Sequence, residues 1–117
     1  MLSFDKEKLN GYFSDETEIL CELIDDFFSE LPSMLAPIKD SIEKADMGGL
    51  QISAHTLKGA VSNFFPPDCV EHSYELEKIG KSGVFDLNLA SEHYQKLEAA
   101  LQILEGELKE FSKELSG

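Results

Sequence analysis

Residues 87–115 read LNLASEHYQKLEAALQILEGELKEFSKEL, and their apolar side chains recur every three or four positions without a break. Positions three and four apart share one face of a helix, so this spacing predicts a long helix whose apolar face packs against other helices. Asp86 precedes the pattern and is expected to cap the helix. The stripe comprises Leu87, Ala90, Tyr94, Leu97, Leu101, Leu104, Leu108, Phe111 and Leu115.

An earlier stripe with the same spacing contains two prolines. Pro32 and Pro37 each remove a backbone hydrogen bond and should bend a helix. The apolar spacing continues through both, which predicts one kinked helix over about residues 15–44, with Ser14 or Asp15 as its N-cap. The stripe is formed by Leu20, Ile24, Phe27, Leu31, Leu35, Ile38, Ile42 and Ala45.

A glycine pair and a proline pair bound the next segment. Gly48 and Gly49 are expected to form a tight link after the second helix. A third helix is then predicted over about residues 49–64, and Pro66 and Pro67 end it.

Two further segments complete the helical pattern. A fourth helix is predicted to run to about residue 81, where Gly80 and Gly83 end it, and residues 4–12 form a short helix at one end of the bundle. No stretch alternates apolar and polar side chains, so strands are not expected. The prediction is an all-α fold, namely an antiparallel up-down four-helix bundle with a short additional N-terminal helix, in one domain over residues 1–117.

The chain is strongly acidic. Its 23 acidic and 10 basic residues give a net charge of −13, which disfavours binding to nucleic acid or anionic membranes. No apolar run is long enough to span a membrane, and no signal peptide is seen at the start. Cys21 and Cys69 have neither metal nor redox spacing and are expected to be reduced thiols. We therefore expect a monomeric cytoplasmic protein whose partners are proteins or small ligands.

One stretch departs from this charge pattern. Residues 47–67 contain no Asp or Glu, and Lys58 is their only charged side chain when histidine is neutral. A buried central helix would avoid charge, and so would a surface that must not repel a phosphate. The two explanations are compatible, because opposite faces of one helix can serve them separately.

His55 lies on the outward face of the predicted third helix. It is two residues from the core position Leu57, a rotation of about 200°. Lys58 and Gly59, three and four positions further on, are its neighbours. Neutral imidazole is a nucleophile, and a lysine can offset phosphoryl charge. A glycine destabilises a helix by about 1 kcal/mol relative to alanine, but it makes room for a partner to approach. The same face carries Gln51, Ile52 and Ser62.

The string AHTLKGAVSNF, residues 54–64, closely resembles the core of the histidine-containing phosphotransfer (HPt) domains of bacterial multistep phosphorelays. The likeness covers nearly the whole chain. Residues 4–9 resemble the short leading helix of that family, residues 23–35 its first long helix, and Leu76-Glu77 the leucine–glutamate pair of its fourth helix.

The resemblance implies a relay function. His55 would accept a phosphoryl group from an aspartate of a receiver domain, belonging to a response regulator or a hybrid sensor kinase, and pass it to another receiver. Lys58 would stabilise the phosphoryl charge, and Gly59 would give the partner access. Magnesium and most catalytic groups would belong to the receiver, so the chain would be a carrier rather than an enzyme, with no cofactor or metal of its own.

Phe65 is a departure from the family pattern, because many members have a glycine at that place. The phenylalanine is expected either to alter the following turn or to add an apolar docking contact. With Gln51, Ile52 and Ser62, it forms the set of residues expected to dock the partner.

Two other functions stay open. A histidine-kinase dimerisation domain also presents a helical histidine, but an acid and then a proline normally follow it, which is not the case here. A purely structural adaptor bundle would leave the helical glycine and the acid-free face unexplained. His72 and His93 are expected to sit alone on their helices, and His72 with Glu71 and Glu75 is only a weak chelate, so no metal site is predicted.

Overall fold

The computed structural model describes residues 2–116, and every regular element within them is helical. The α-helices are α1 (Lys6–Tyr12), α2 (Thr17–Glu43), α3 (Met47–Val61), α4 (Pro67–Ser82) and α5 (Leu87–Ser116), with one 3₁₀ turn over Ser62–Phe64. α3 packs against α2 and α4, and α5 packs against the same two helices. The all-α prediction is confirmed, and no helix among the described residues could cross a membrane.

Two residues of the predicted apolar stripes lie outside the core, because Leu87 is 55% exposed at the start of α5 and Ala45 is exposed in the turn after α2. Most of the others meet in one core. Its wholly buried side chains come from all five helices, because each helix presents one apolar face to the others. They include Leu9, Ile24, Ile38, Leu50, Ala54, Leu57, Val61, Leu76, Leu97, Leu104 and Leu108. The core therefore fixes the rotation of α3 and α4 about their own axes, and with it the residues that these helices show to solvent.

α2 is a single helix that passes through both of its prolines, as predicted. The prolines lie on its exposed side, where water can hydrate the carbonyls that lose a donor. The N-cap prediction of Ser14 or Asp15 was wrong. The cap is Glu16, which makes no side-chain capping bond. The helix starts later than predicted because a turn precedes it, in which the Glu16 N–H donates to the Phe13 carbonyl at 2.9 Å.

The link between α2 and α3 is not the Gly48-Gly49 pair that the sequence predicted. Ala45 makes the turn instead, with a left-handed φ of 53°, and Asp46 caps α3 by accepting the Gly49 N–H at 3.0 Å. A Cβ at Gly49 would lie 2.6 Å from Asp46 Oδ2 and 2.7 Å from Ser41 Oγ, so a larger residue there would have to displace the side chain that caps the helix. The two glycines thus begin α3 rather than precede it.

The ends of α4 and α5 follow the sequence except at one glycine. Pro67 occupies the first turn of α4, and Gly83 ends that helix with a left-handed φ of 76°. Asp86 caps α5 by accepting the Leu89 N–H at 3.1 Å. Gly80, which was predicted to help end α4, lies buried inside it, because it is a contact with α3 rather than a terminator.

α1 closes one end of the bundle. The Asp5 N–H donates to the Phe65 carbonyl at 3.0 Å, which joins α1 to the turn before α4. The Phe4 ring packs 5.8 Å from the Phe111 ring, which joins the same segment to α5. The short helix therefore connects two elements that are far apart in sequence.

Replacing Ala45 by glycine should stabilise the protein. The left-handed conformation costs a residue with a side chain about 1 kcal/mol in the folded state. This cost exceeds the entropic cost of folding that glycine adds by making the unfolded chain more flexible. We expect Ala45→Gly to raise the free energy of unfolding by roughly 0.5 kcal/mol in urea titrations. The matched control is Ala99→Gly on the exposed side of α5, which should lower the free energy of unfolding by about 1 kcal/mol. Equal losses in both variants would contradict the assignment of this turn.

Candidate functional site

α3 turns His55 away from the core, as its helical position predicts. The neighbouring core residues Ala54 and Leu57 are wholly buried, whereas the His55 side chain is 66% exposed. The buried face holds the helix in place, and the exposed face leaves one side of the imidazole open to another molecule.

Glu77 on α4 contacts His55 across the helix interface, a contact that the sequence did not predict. Its Oε2 lies 2.9 Å from His55 Nδ1. An ionised carboxylate can only accept a hydrogen bond, so Nδ1 carries the proton and the lone pair resides on Nε2. The carboxylate is only 14% exposed, which restricts the directions it can take. The imidazole is therefore held in one tautomer and one orientation.

Lys58 is held by the same carboxylate. Its Nζ lies 2.6 Å from Glu77 Oε1 and 4.7 Å from the centroid of the Tyr74 ring. Glu77 Oε1 is buried, and the Lys58 ammonium beside it compensates its charge. The Lys58 ammonium is therefore anchored, because α4 supplies an acid directly beside it.

The carboxyl of Glu77 is ionised at neutral pH. Burial raises its pKa, but the hydrogen bonds from Lys58 and His55 and the charges of both outweigh burial, and the pKa lies below its ordinary value of 4.5. The expectation of a face without acids was therefore wrong. Residues 47–67 carry none, but the neighbouring helix places one against His55, where it forms a neutral pair with Lys58.

Gly59 borders open space. A Cβ built on it would meet no atom within 4 Å beyond its own helix backbone. Packing inside the protein therefore does not require a glycine here, although glycine costs a helix about 1 kcal/mol relative to alanine. An explanation for this residue has to come from outside the folded chain.

The residues predicted to dock a partner lie at different depths on α3. Ile52 is 70% exposed, whereas Gln51 and Ser62 are partly buried. The Ser62 hydroxyl donates to the Lys58 carbonyl at 2.5 Å and so serves the end of its own helix. Ile52 is consequently the most accessible apolar side chain of this set.

Phe65 adopts the left-handed backbone conformation, with φ 56° and ψ 48°. Glycine populates this region freely, whereas a residue with a side chain is strained there. The ring lies 6.2 Å from the Tyr12 ring, and Lys8 Nζ lies 5.1 Å from its centroid. Phe65 thus contacts α1, and its strain is offset by packing rather than avoided.

His72 and His93 contact each other, although the sequence suggested that each would sit alone on its helix. Their Nδ1 atoms lie 3.1 Å apart and their ring centroids 5.3 Å apart, because α4 and α5 bring them together. The ring planes are tilted by 42°, and the distance between the two nitrogens fits one N–H···N hydrogen bond. Within residues 2–116, no group of three or more His, Cys, Asp or Glu side chains is placed to hold a metal ion.

The helical bundle presents one oriented, open imidazole beside a charge-compensated carboxylate, and an imidazole with a free ring nitrogen is a competent nucleophile. The comparison with family models agrees: the Hpt domain model matches residues 22–115, from within α2 to near the end of α5. The chain belongs to the Hpt family, whose members carry phosphoryl groups on histidine in phosphorelays. Searches of curated proteins and of solved structures found no match.

Glu77→Gln tests the charge of this carboxylate. Because its pKa is lowered by folding, Glu77 stabilises the protein above the ordinary pKa of 4.5, and this contribution is lost as the pH falls through the lower folded value. We expect the variant to lose roughly 1 kcal/mol at neutral pH in urea titrations, and the difference from the parent to shrink below about pH 4.5.

The control for this variant is Glu110→Gln, an exposed glutamate of α5. It should change the free energy of unfolding by less than about 0.5 kcal/mol at any pH. A Glu77→Gln loss that stays constant down to acid pH would contradict the ionised state of Glu77.

Proposed function

We propose that this chain accepts a phosphoryl group on His55 from the aspartyl phosphate of a receiver domain and passes it to the aspartate of another receiver. The observation that carries the proposal is the hydrogen bond between His55 Nδ1 and Glu77 at 2.9 Å on a ring that is otherwise exposed. It fixes the proton on one nitrogen and leaves the other as the nucleophile.

The transfer step follows from this tautomer. The Nε2 lone pair attacks the phosphorus in line with the bond to the aspartate oxygen. That P–O bond breaks, and its electron pair returns to the aspartate as a carboxylate. The imidazole gains positive charge as the P–N bond forms, while its Nδ1 proton stays hydrogen-bonded to Glu77. Transfer to the second receiver is the same step in reverse, with the second aspartate as the nucleophile.

Glu77 acts as a positioning residue in this scheme. It orients the ring and stabilises the charge that develops on it, much as a buried carboxylate does for a catalytic histidine in hydrolases. Lys58 has two tasks. Its ammonium neutralises Glu77, so that an incoming phosphoryl group meets no net negative charge beside His55, and it offers further donors to the phosphoryl oxygens.

The catalytic power is proposed to reside in the receiver. Phosphoryl transfer needs magnesium and positioned oxygens around the phosphorus, which a receiver supplies when the two proteins meet. The present chain contributes the nucleophile, a positive charge and a surface, and is a carrier rather than an enzyme. We place the partner against α3, with Gln51, Ile52, Ser62 and Phe65 as docking residues and Gly59 leaving room above the imidazole.

The proposal includes the wider architecture predicted from the sequence. The short connections between successive long helices support an antiparallel up-down order for α2 to α5, with α1 as the additional helix. A single monomeric domain over residues 1–117 in the cytoplasm is consistent with the continuous core and the family match.

The direct test is transfer of labelled phosphate from a phosphorylated receiver domain. The parent should acquire an acid-labile label, and His55→Gln should acquire none. His72→Gln serves as the matched control and should be labelled like the parent. Label that survives His55→Gln, or no transfer from any receiver of the same cell, would refute the carrier function and favour a structural adaptor. Labelling by ATP alone would favour a kinase.

Gly59→Ala separates access from folding. Open space surrounds the position, so the added methyl should stabilise α3 by about 1 kcal/mol, yet it should slow transfer because the receiver must approach past it. Gly106→Ala in α5 also has open space around its Cβ and should stabilise without slowing transfer. Urea titrations and single-turnover transfer rates measure the two effects. Equal transfer rates in both variants would show that Gly59 has no steric role.

A further inference from the structure

Gly80 marks a very close approach between α3 and α4. A Cβ placed on it would lie 2.5 Å from Gln51 N, 2.7 Å from the Met47 carbonyl oxygen and 2.9 Å from Gln51 Cα. All three atoms belong to the backbone of α3, so no side-chain rotation could relieve the contact. Any residue larger than glycine would have to push the two helices apart.

This approach lies one turn from the His55–Glu77 hydrogen bond on both helices. Gly80 follows Glu77 by three residues on α4, and Gln51 precedes His55 by four residues on α3. α3 and α4 are continuous through these positions, so a change in their separation at Gly80 also moves Glu77 away from His55. The bond is 2.9 Å long, and a hydrogen bond weakens when stretched by a few tenths of an ångström.

Gly80 differs from the other helical glycines, since the close contacts at Gly49 involve only side-chain atoms. Gly59 and Gly106 have open space around them, whereas Gly80 is buried and has no left-handed φ that would call for glycine. Glycine inside a helix costs about 1 kcal/mol, so its presence at Gly80 needs a compensating contact. The only such contact is the close packing on α3.

We propose that Gly80 is a positioning residue for phosphotransfer: it sets the α3–α4 spacing at which Glu77 can hold His55 in the Nδ1–H tautomer. The expected effect of Gly80 on the rate of phosphoryl transfer rests on the proposed carrier function. Its structural part, the tautomer of His55, stands independently of that function.

The first experiment reads the tautomer directly. ¹⁵N NMR of histidine-labelled, unphosphorylated protein near neutral pH should show His55 protonated on Nδ1 in the parent. In Gly80→Ala we expect a mixture with the Nε2–H form, and Gly106→Ala should match the parent. If Gly80→Ala is partly unfolded, trimethylamine N-oxide can restore the folded state for the measurement. A folded Gly80→Ala that keeps the parent tautomer would overturn the proposal.

The second experiment asks whether Gly80 acts through Glu77. Gly80→Ala should slow transfer about tenfold, which corresponds to about 1.4 kcal/mol. In a Glu77→Ala background the same substitution should have almost no further effect, because the bond it weakens is already gone. An undiminished effect in that background would overturn the proposal and assign Gly80 to general packing. If His55→Gln is labelled as well as the parent, the carrier function is refuted. The NMR result would still decide whether Gly80 sets the tautomer of His55.

Discussion

The hydrogen bond from His55 Nδ1 to Glu77 joins two helices and determines what the site can do. It is 2.9 Å long and links residues 22 positions apart in sequence. The bond exists only because the apolar faces of α3 and α4 bury Leu57 and Leu76 and so turn His55 and Glu77 toward the same groove. Packing in the core therefore places the proton on Nδ1 of His55, and in the proposed transfer Nε2 is the nucleophile.

Electrostatics explains how a strongly acidic protein can receive a phosphoryl group. The net charge of −13 would repel a phosphorylated partner if it were spread evenly. The face around His55 is different, because residues 47–67 lack acids and the one carboxylate that reaches it is paired with Lys58 at 2.6 Å. Glu77 can thus orient the imidazole without presenting a net charge to the phosphoryl oxygens.

The sequence predicted the helices and the outward direction of His55, because both depend on periodicity along the chain. It did not predict the contact of Glu77 with His55, because that contact depends on how α3 and α4 pack. The resemblance of Leu76-Glu77 to the family's leucine–glutamate pair was the one feature of the sequence that pointed to Glu77. The same limit explains the error at Gly80, where a glycine near a helix end looks like a terminator but fits a close helix contact. Phe65 shows the converse, since tertiary packing holds a phenylalanine in a backbone conformation that favours glycine.

The most direct measurement of the central claim is the site of phosphorylation within the imidazole. Histidine-labelled protein, phosphorylated by a receiver domain, can be observed by ³¹P–¹⁵N correlated NMR. The account predicts one-bond coupling of phosphorus to Nε2 of His55, with the Nδ1 proton retained and hydrogen-bonded. Coupling to Nδ1, or to a nitrogen of His72 or His93, would contradict it, because the Glu77 hydrogen bond would then not select the nucleophile.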